Sequence, residues 1–234
     1  MPVRISFIRR ILDFIMPRRC AVCGRKLGIT DHAICMVCNW RLPRTNFCKN
    51  PKDNDMAKLF WMLIPIENAA ALFFYYAHSD STNVILKFKY DGNWNFAEDM
   101  GSISAYEFME YDFFDGIDAI VPIPITKKRE RERGYNQSYH IALGVKAITG
   151  LPIINDAVKR TTFTESQTQK SSLERKENVK NAFKLVNGDK VRGKHILIID
   201  DVVTTGSTIT SCAEELMKAG AIAFSVLSIG FTRH

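Results

Sequence analysis

The run Ile196-Leu197-Ile198-Ile199-Asp200-Asp201-Val202-Val203-Thr204-Thr205-Gly206-Ser207-Thr208 decides how this chain is read. Its four branched apolar residues predict a buried strand of the kind found in parallel sheets covered on both faces. Two adjacent carboxylates end the strand, a hydroxyl-rich loop follows, and a helical pattern runs from Ile209 to Lys218. The loop offers backbone N–H groups, four hydroxyls and, at Gly206, a residue that lets the backbone approach an anion closely. The helix N-terminus adds partial positive charge. Open α/β sheets place their ligands at the carboxyl ends of the strands, where these acids fall. The run therefore suits a phosphorylated sugar, with the loop on the phosphate and the carboxylates on sugar hydroxyls or on water bound to magnesium. The plainer alternative is a buried strand followed by a polar loop.

The 234 residues allow one large domain, or a medium domain with a small appendage. With 46% hydrophobic and 24% charged residues, the composition is that of a globular protein. A net charge of +7 suits polyanionic ligands, and it equally suits a merely soluble basic protein. Near the start, Val3, Phe7, Ile8, Ile11, Leu12 and Ile15 fall at helical spacing. Arg9, Arg10 and Asp13 interrupt what would otherwise be a signal-peptide core. The expectation is an amphipathic helix docked on the protein, with a membrane-surface helix as the other reading. The stretch from Leu59 to Ala77 is long enough to span a bilayer, but Pro65, Glu67 and Asn68 sit in its middle. One or two strands are expected there, in a soluble, cytoplasmic protein.

Five of the six cysteines precede residue 50, and four of them form Cys20-x2-Cys23 and Cys35-x2-Cys38. Paired knuckles at this separation have zinc-ligand spacing: each turns tightly enough to aim two thiolates at one ion. A polar segment this short cannot build its own core, so metal would supply folding energy. Four thiolates leave no open coordination position, which makes the zinc structural. Disulfides or unpaired thiols are the alternative, and a cytoplasmic setting disfavours the former. His32 is a weaker candidate ligand inside the loop, Cys48 forms no further knuckle, and Cys212 reads as a small buried residue.

Strands alternate with helices along the rest of the chain, which predicts a mostly parallel α/β sheet. The expected order is a strand over Ala71–Ala77, helices over Ser81–Lys89 and Asn95–Met109, and a strand over Asp118–Pro122. A helix over Tyr135–Thr149, a strand over Ala157–Thr161, a partly helical Ser172–Ala182, the signature strand and a last strand over Phe224–Ile229 follow. The expected organisation is an amphipathic helix and cysteine module over 1–50, a linker over 51–68 and the main domain over 69–234. After the strand ending at Pro122 comes Lys127-Lys128-Arg129-Glu130-Arg131-Glu132-Arg133-Gly134-Tyr135-Asn136-Gln137. Read as a loop beside the signature loop, it would offer cations, with amides from Asn136 and Gln137, to an anion in the same pocket. Read alone, it is a solvated charge run whose glutamates pair with neighbours.

The thirteen-residue run resembles the phosphoribosyl pyrophosphate (PRPP) signature of the type I phosphoribosyltransferases. The whole chain resembles the ComF family of competence-related, phosphoribosyltransferase-like proteins. The likeness rests on the cysteine knuckles, Leu86-Lys87-Phe88-Lys89-Tyr90-Asp91-Gly92, Pro122-Ile123-Pro124 with Arg133-Gly134-Tyr135-Asn136-Gln137, and the Asp200-Asp201 run. It also draws on Arg160, Thr161, Gln167, Ser171, Arg175, Asn178 and Phe183. The resemblance implies a type I phosphoribosyltransferase-like fold with a small N-terminal zinc module. It implies that Asp200 and Asp201 face the ribose hydroxyls, and that Val202 and Val203 lead into a phosphate wrap by Thr204, Thr205, Gly206, Ser207 and Thr208. Mg2+ would accompany PRPP, with Lys127, Lys128 and Arg133 as pyrophosphate candidates. The polar segment from Thr161 to Asn178 looks like the mobile loop that covers such sites, with Gln167, Lys170 and Arg175 as lid candidates; a surface loop is the alternative. The expected activity is phosphoribosyl transfer to an amine or base, and no side chain suggests itself as a general base. Two other readings stay open: a competence accessory protein that binds single-stranded DNA or a helicase-like partner, and a PRPP sensor.

Overall fold

The apolar run that begins at Ile196 forms a central strand of a parallel sheet. A computed structural model describes residues 19–28, 31, 33–76, 79–90, 94–161 and 182–233. In chain order the elements are α1 (Met36–Arg41), a 3-10 turn (Phe47–Lys49), α2 (Asp55–Lys58), β1 (Ile66–Phe74), α3 (Asp80–Tyr90), α4 (Trp94–Met109) and β2 (Ala119–Pro122). Then follow α5 (Lys127–Arg133), α6 (Gln137–Thr149), β3 (Val158–Arg160), β4 (Phe183–Leu185), a second 3-10 turn (Gly188–Val191), β5 (His195–Val203), α7 (Ser207–Lys218) and β6 (Ala223–Phe231).

The main sheet has the order β1-β6-β5-β2, and all three pairings are parallel. β3 and β4 form a separate antiparallel pair. Both faces of β5 are covered, and its alternate residues enter different clusters. Leu197 and Ile199 pack with Phe96, Met100 and Ile141 of α4 and α6, while Ile196 and Ile198 pack with Ile209, Cys212 and Leu216 of α7. The α4–α6 seam is unusually close, because a side chain on Gly144 would meet Glu98 O at 2.0 Å. That seam fixes where α6 begins. Cys20, Cys35 and Cys38 belong to the same cluster as Leu72 and Phe73 of β1, so the cysteine module shares the core of the sheet.

Three boundaries differ from the sequence expectation. β1 begins at Ile66, not near Ala71, and includes Glu67 and Asn68. A buried asparagine is tolerated there because Asn68 Nδ2 donates to Phe113 O at 3.1 Å. The stretch read as a linker is folded: Asn54 Oδ1 accepts from the N–H groups of Met56 and Ala57, both at 3.0 Å, and starts α2. Met56, Ala57 and Phe60 are then buried against the α7 side of the sheet. The basic segment after Pro122, read as a loop, is helix α5. Thr126 Oγ1 caps it by accepting from Arg129 N at 3.3 Å, and Gly134 ends it with φ 82°. The lid candidates Gln167, Lys170 and Arg175, the expected N-terminal helix and His32 lie outside the described residues.

Candidate functional site

β5 runs on through the acids to Val203, and the chain then turns at Gly206, φ 75°, to enter α7. The left-handed turn places the loop against Phe60, and a Cβ on Gly206 would lie 2.8 Å from Phe60 Cε1. The N-cap residue of α7 is Gly206, which has no side chain to accept from the N–H groups of the first turn. Thr204, Thr205 and Ser207 are exposed, and Thr205 Oγ1 donates to Ser207 Oγ at 3.1 Å. Asp200 and residues 202 to 209 line one small concavity of about 30 Å³. This arrangement can receive a single compact anion through backbone N–H groups, hydroxyls and the helix dipole.

The two acids have different surroundings. Asp200 Oδ1 accepts from Ser138 Oγ at 3.1 Å and from Asp201 N at 2.9 Å. Burial pushes its carboxyl up to about 7, Asp201 adds repulsion, and the Asp201 N–H, Ser138 and Arg160 partly oppose the rise. Asp201 lines none of that concavity, and its Oδ1 accepts from Val202 N at 2.8 Å. Consecutive strand positions send the two side chains to opposite faces. Ser138 has a traceable role. Asn136 Oδ1 caps α6 by accepting from Ser138 N at 3.1 Å, and this places the Ser138 hydroxyl on Asp200.

A second, larger concavity of about 870 Å³ lies between α5 and the β3–β4 pair. Lys127, Lys128, Arg131, Lys159, Arg160 and Lys184 line it, together with Glu132 and Thr161. Of the three pyrophosphate candidates, Lys127 and Lys128 face this groove. Arg133 is not in its lining and donates from Nη1 to Gln137 Oε1 at 2.8 Å. The amides expected to reach the pocket are engaged elsewhere: Asn136 Nδ2 donates to Ile123 O, and Gln137 Nε2 to Tyr135 O. Arg160 links the two concavities. It lines the groove, stands over the Phe183 ring at 5.4 Å and lies within the electrostatic reach of Asp200. Burial, and next the neighbouring Arg129, hold its pKa below the usual arginine value. Sequence reasoning assigned no role to Lys159, Lys184 or Ser138. The lysine between two apolar residues in Phe183-Lys184-Leu185 is the one local signal, and Val158-Lys159-Arg160 offers none.

Cys20, Cys23, Cys35 and Cys38 bring their Sγ atoms within 4.8 Å of one another, a grouping that could hold a metal ion. Gly24, φ 70°, lets the first knuckle turn, and Cys35 N donates to Cys20 Sγ at 3.4 Å. Burial raises the Cys20 thiol, but the backbone N–H groups of Cys23, Cys35 and Val22 outweigh it and bring it down to about 7. Burial and the neighbouring thiols push Cys38 up. All six cysteines are free of disulfides, and Cys48 and Cys212 are buried apart from the cluster. Among the described residues, no helix is long and apolar enough to cross a membrane.

Residues 135–229, from the start of α6 to β6, match the family model described as the phosphoribosyl transferase domain. The parallel sheet, the cradle at the end of β5 and this match define a phosphoribosyltransferase-like protein. The chain is 40% identical over 109 residues to "DNA utilization protein YhgH" of Escherichia coli K12, covering 47% of each chain. It is 36% identical over 104 residues to "Competence protein F" of Haemophilus influenzae, covering 44% of this chain and 45% of the relative. To "Competence protein ComFC" of Bacillus subtilis it is 26% identical over 210 residues, covering 87% of this chain and 73% of the relative. The chain thus spans about half the length of the first two relatives. Within the phosphoribosyltransferase-like class, the chain is thus similar to proteins named competence protein F, ComFC and DNA utilization protein YhgH.

Proposed function

We propose that the chain binds PRPP with Mg2+ at the end of β5 and transfers the phosphoribosyl group to a nitrogen nucleophile, in the cytoplasm and in connection with competence or DNA uptake. The observation that carries the reading is the half-buried Asp200, tied to Ser138 and set directly before a helix start N-capped by Gly206, with exposed hydroxyls. In this reading Thr204 to Thr208 hold the 5′-phosphate, and Asp200 accepts hydrogen bonds from the ribose. The resemblance assigns Asp201 to the sugar as well, although its side chain leaves β5 on the face opposite Asp200. Mg2+ bound with PRPP would neutralise charge on the departing pyrophosphate. The bond from the anomeric carbon to pyrophosphate breaks, and positive charge develops on the sugar. The protein's contribution is position and electrostatics. Calorimetry with Mg2+ and PRPP tests the reading, followed by a pyrophosphate-release screen over amines and bases. Absence of PRPP binding would remove it, and binding without release would favour a PRPP sensor.

The four-cysteine cluster supports one structural Zn2+ per chain. Metal analysis should find one equivalent in the wild type and none in a Cys35→Ser, Cys38→Ser variant. A second reading, an accessory protein that docks single-stranded DNA or a helicase-like partner, draws on the names of the relatives. It also draws on the helix that starts at the second knuckle and carries Cys38, where Met36 and Trp40 are 78% and 85% exposed. Trp40→Ala should weaken such an interaction and leave PRPP binding intact.

A further inference from the structure

The groove between α5 and the β3–β4 pair is larger and more basic than the pyrophosphate of PRPP requires. Among the described residues, six cationic side chains face it against the single carboxylate of Glu132. Its volume of about 870 Å³ falls in the range of pockets that enclose a drug-sized ligand, roughly 300–1,000 Å³. A pyrophosphate already clamped by Mg2+ brings little net charge to so many cations, and Lys127 and Lys128 suffice to meet it.

The far wall of the groove is the more telling. Lys159 of β3 and Lys184 of β4 are register partners, directly opposite each other across the antiparallel pair. Like charges at directly opposed positions destabilise a strand pair. No ion pair among the described residues engages either lysine, and both are exposed. A strand pair that carries this repulsion is suited to an anion that enters between the lysines. Arg160, next to Lys159 in the same strand, lines the groove as well and feels the charge of Asp200.

We propose that this groove holds the second substrate, and that this substrate carries several negative charges of its own, as phosphate or carboxylate groups. The inference rests on the reading of residues 200–208 as the PRPP cradle, and it narrows the acceptor class. The nucleophile is an amine or base on a multiply anionic molecule, and the groove cations hold its charged end while its nitrogen meets the anomeric carbon. A neutral base would leave Glu132, among the described residues, as the one carboxylate facing the six groove cations.

Inorganic tripolyphosphate is a suitable probe. The full chain, saturated with PRPP at constant free Mg2+, is titrated with it by calorimetry. The expected result is binding whose Kd changes less than about threefold between PRPP-free and PRPP-saturated protein. Full competition would assign the groove to the pyrophosphate of PRPP and overturn the inference. K159E/K184E should weaken tripolyphosphate at least about tenfold and PRPP less than about threefold. Parallel losses for both ligands would overturn it. K159Q/K184Q repeats the test without charge reversal and should show about half that loss in log units. A wild type that binds tripolyphosphate but no PRPP would sink the cradle reading, and the second-substrate role with it. A wild type that binds PRPP but no tripolyphosphate would sink this inference alone.

Discussion

The cradle at residues 200–208 and the groove beside it both suit anions, by opposite means. The cradle is one unbroken stretch with neither lysine nor arginine in it, and it works through N–H groups, hydroxyls and the end of α7. The groove draws its six cations from α5, β3 and β4, segments far apart in the chain. Fixed dipoles recognise the shape of one phosphate. Lysine ammonium groups on flexible stems answer charge with little regard to geometry. The contrast suits the cradle to one compact phosphate and the groove to a more extended anion, and each prediction below tests whether the two are separate.

The largest expected effect is on the cradle. D200N/D201N should weaken Mg2+–PRPP binding about a hundredfold, since charge-assisted hydrogen bonds to the sugar are worth roughly 1.5–3 kcal/mol each. Tripolyphosphate binding to the same variant should change less than about threefold. Equal losses would show that cradle and groove act as one site.

Asp200 also makes the cradle costly, and pH exposes that cost. Its carboxyl is pushed from the ordinary 3.8 up to about 7 by burial, with Asp201 adding repulsion. The folded protein therefore holds this proton more tightly than the unfolded chain does. The benefit is greatest below about pH 4 and is lost as pH rises through 7. Above pH 7, a charged, half-buried Asp200 opposes folding by a contribution on the order of 2 kcal/mol. D200N should raise Tm by about 5 °C at pH 8 and by almost nothing at pH 4. A Tm gain independent of pH would mean that Asp200 does not carry the charge penalty.

The same contrast explains what could be read from the sequence. The β5–loop–α7 unit was legible because its strand, acids, turn and helix are contiguous, so local chemistry and local geometry coincide. The cysteine cluster was legible because two short knuckles contain all four ligands. The groove was not legible, because Lys159 and Lys184 become partners only when β3 and β4 pair. α5 was misread because Lys127–Arg133 has no apolar face, and its helix depends on the Thr126 cap and the Gly134 stop instead of periodicity. The stretch 51–65 looked like a linker because its polar start hid Asn54, which both caps α2 and donates to Ala69 O at 2.9 Å. Asn68 disguised the start of β1 for a related reason: a buried amide breaks the apolar pattern, and the carbonyl that accepts from its Nδ2 lies 45 residues away.

The smallest effects separate backbone strain from contact, using one glycine from each region. Gly206 in the cradle and Gly134 at the end of α5 have nearly the same left-handed backbone, φ 75° and 82°. A side chain at either position costs about 1 kcal/mol for that conformation. A Cβ at Gly134 meets nothing within 4 Å, whereas one at Gly206 meets Phe60 Cε1 at 2.8 Å. Phe60 is fully buried and has little room to retreat. G134A should therefore cost about 1 kcal/mol and leave PRPP binding unchanged. G206A should cost roughly 2–3 kcal/mol and weaken PRPP about tenfold, because the loop must lift off its apolar support. Denaturant unfolding and calorimetry on the pair measure both. If the two variants lose equal stability and neither loses PRPP, the wall behind the loop yields freely. The cradle would then be held by its own hydrogen bonds, and not by the packing of the 51–65 segment beneath it.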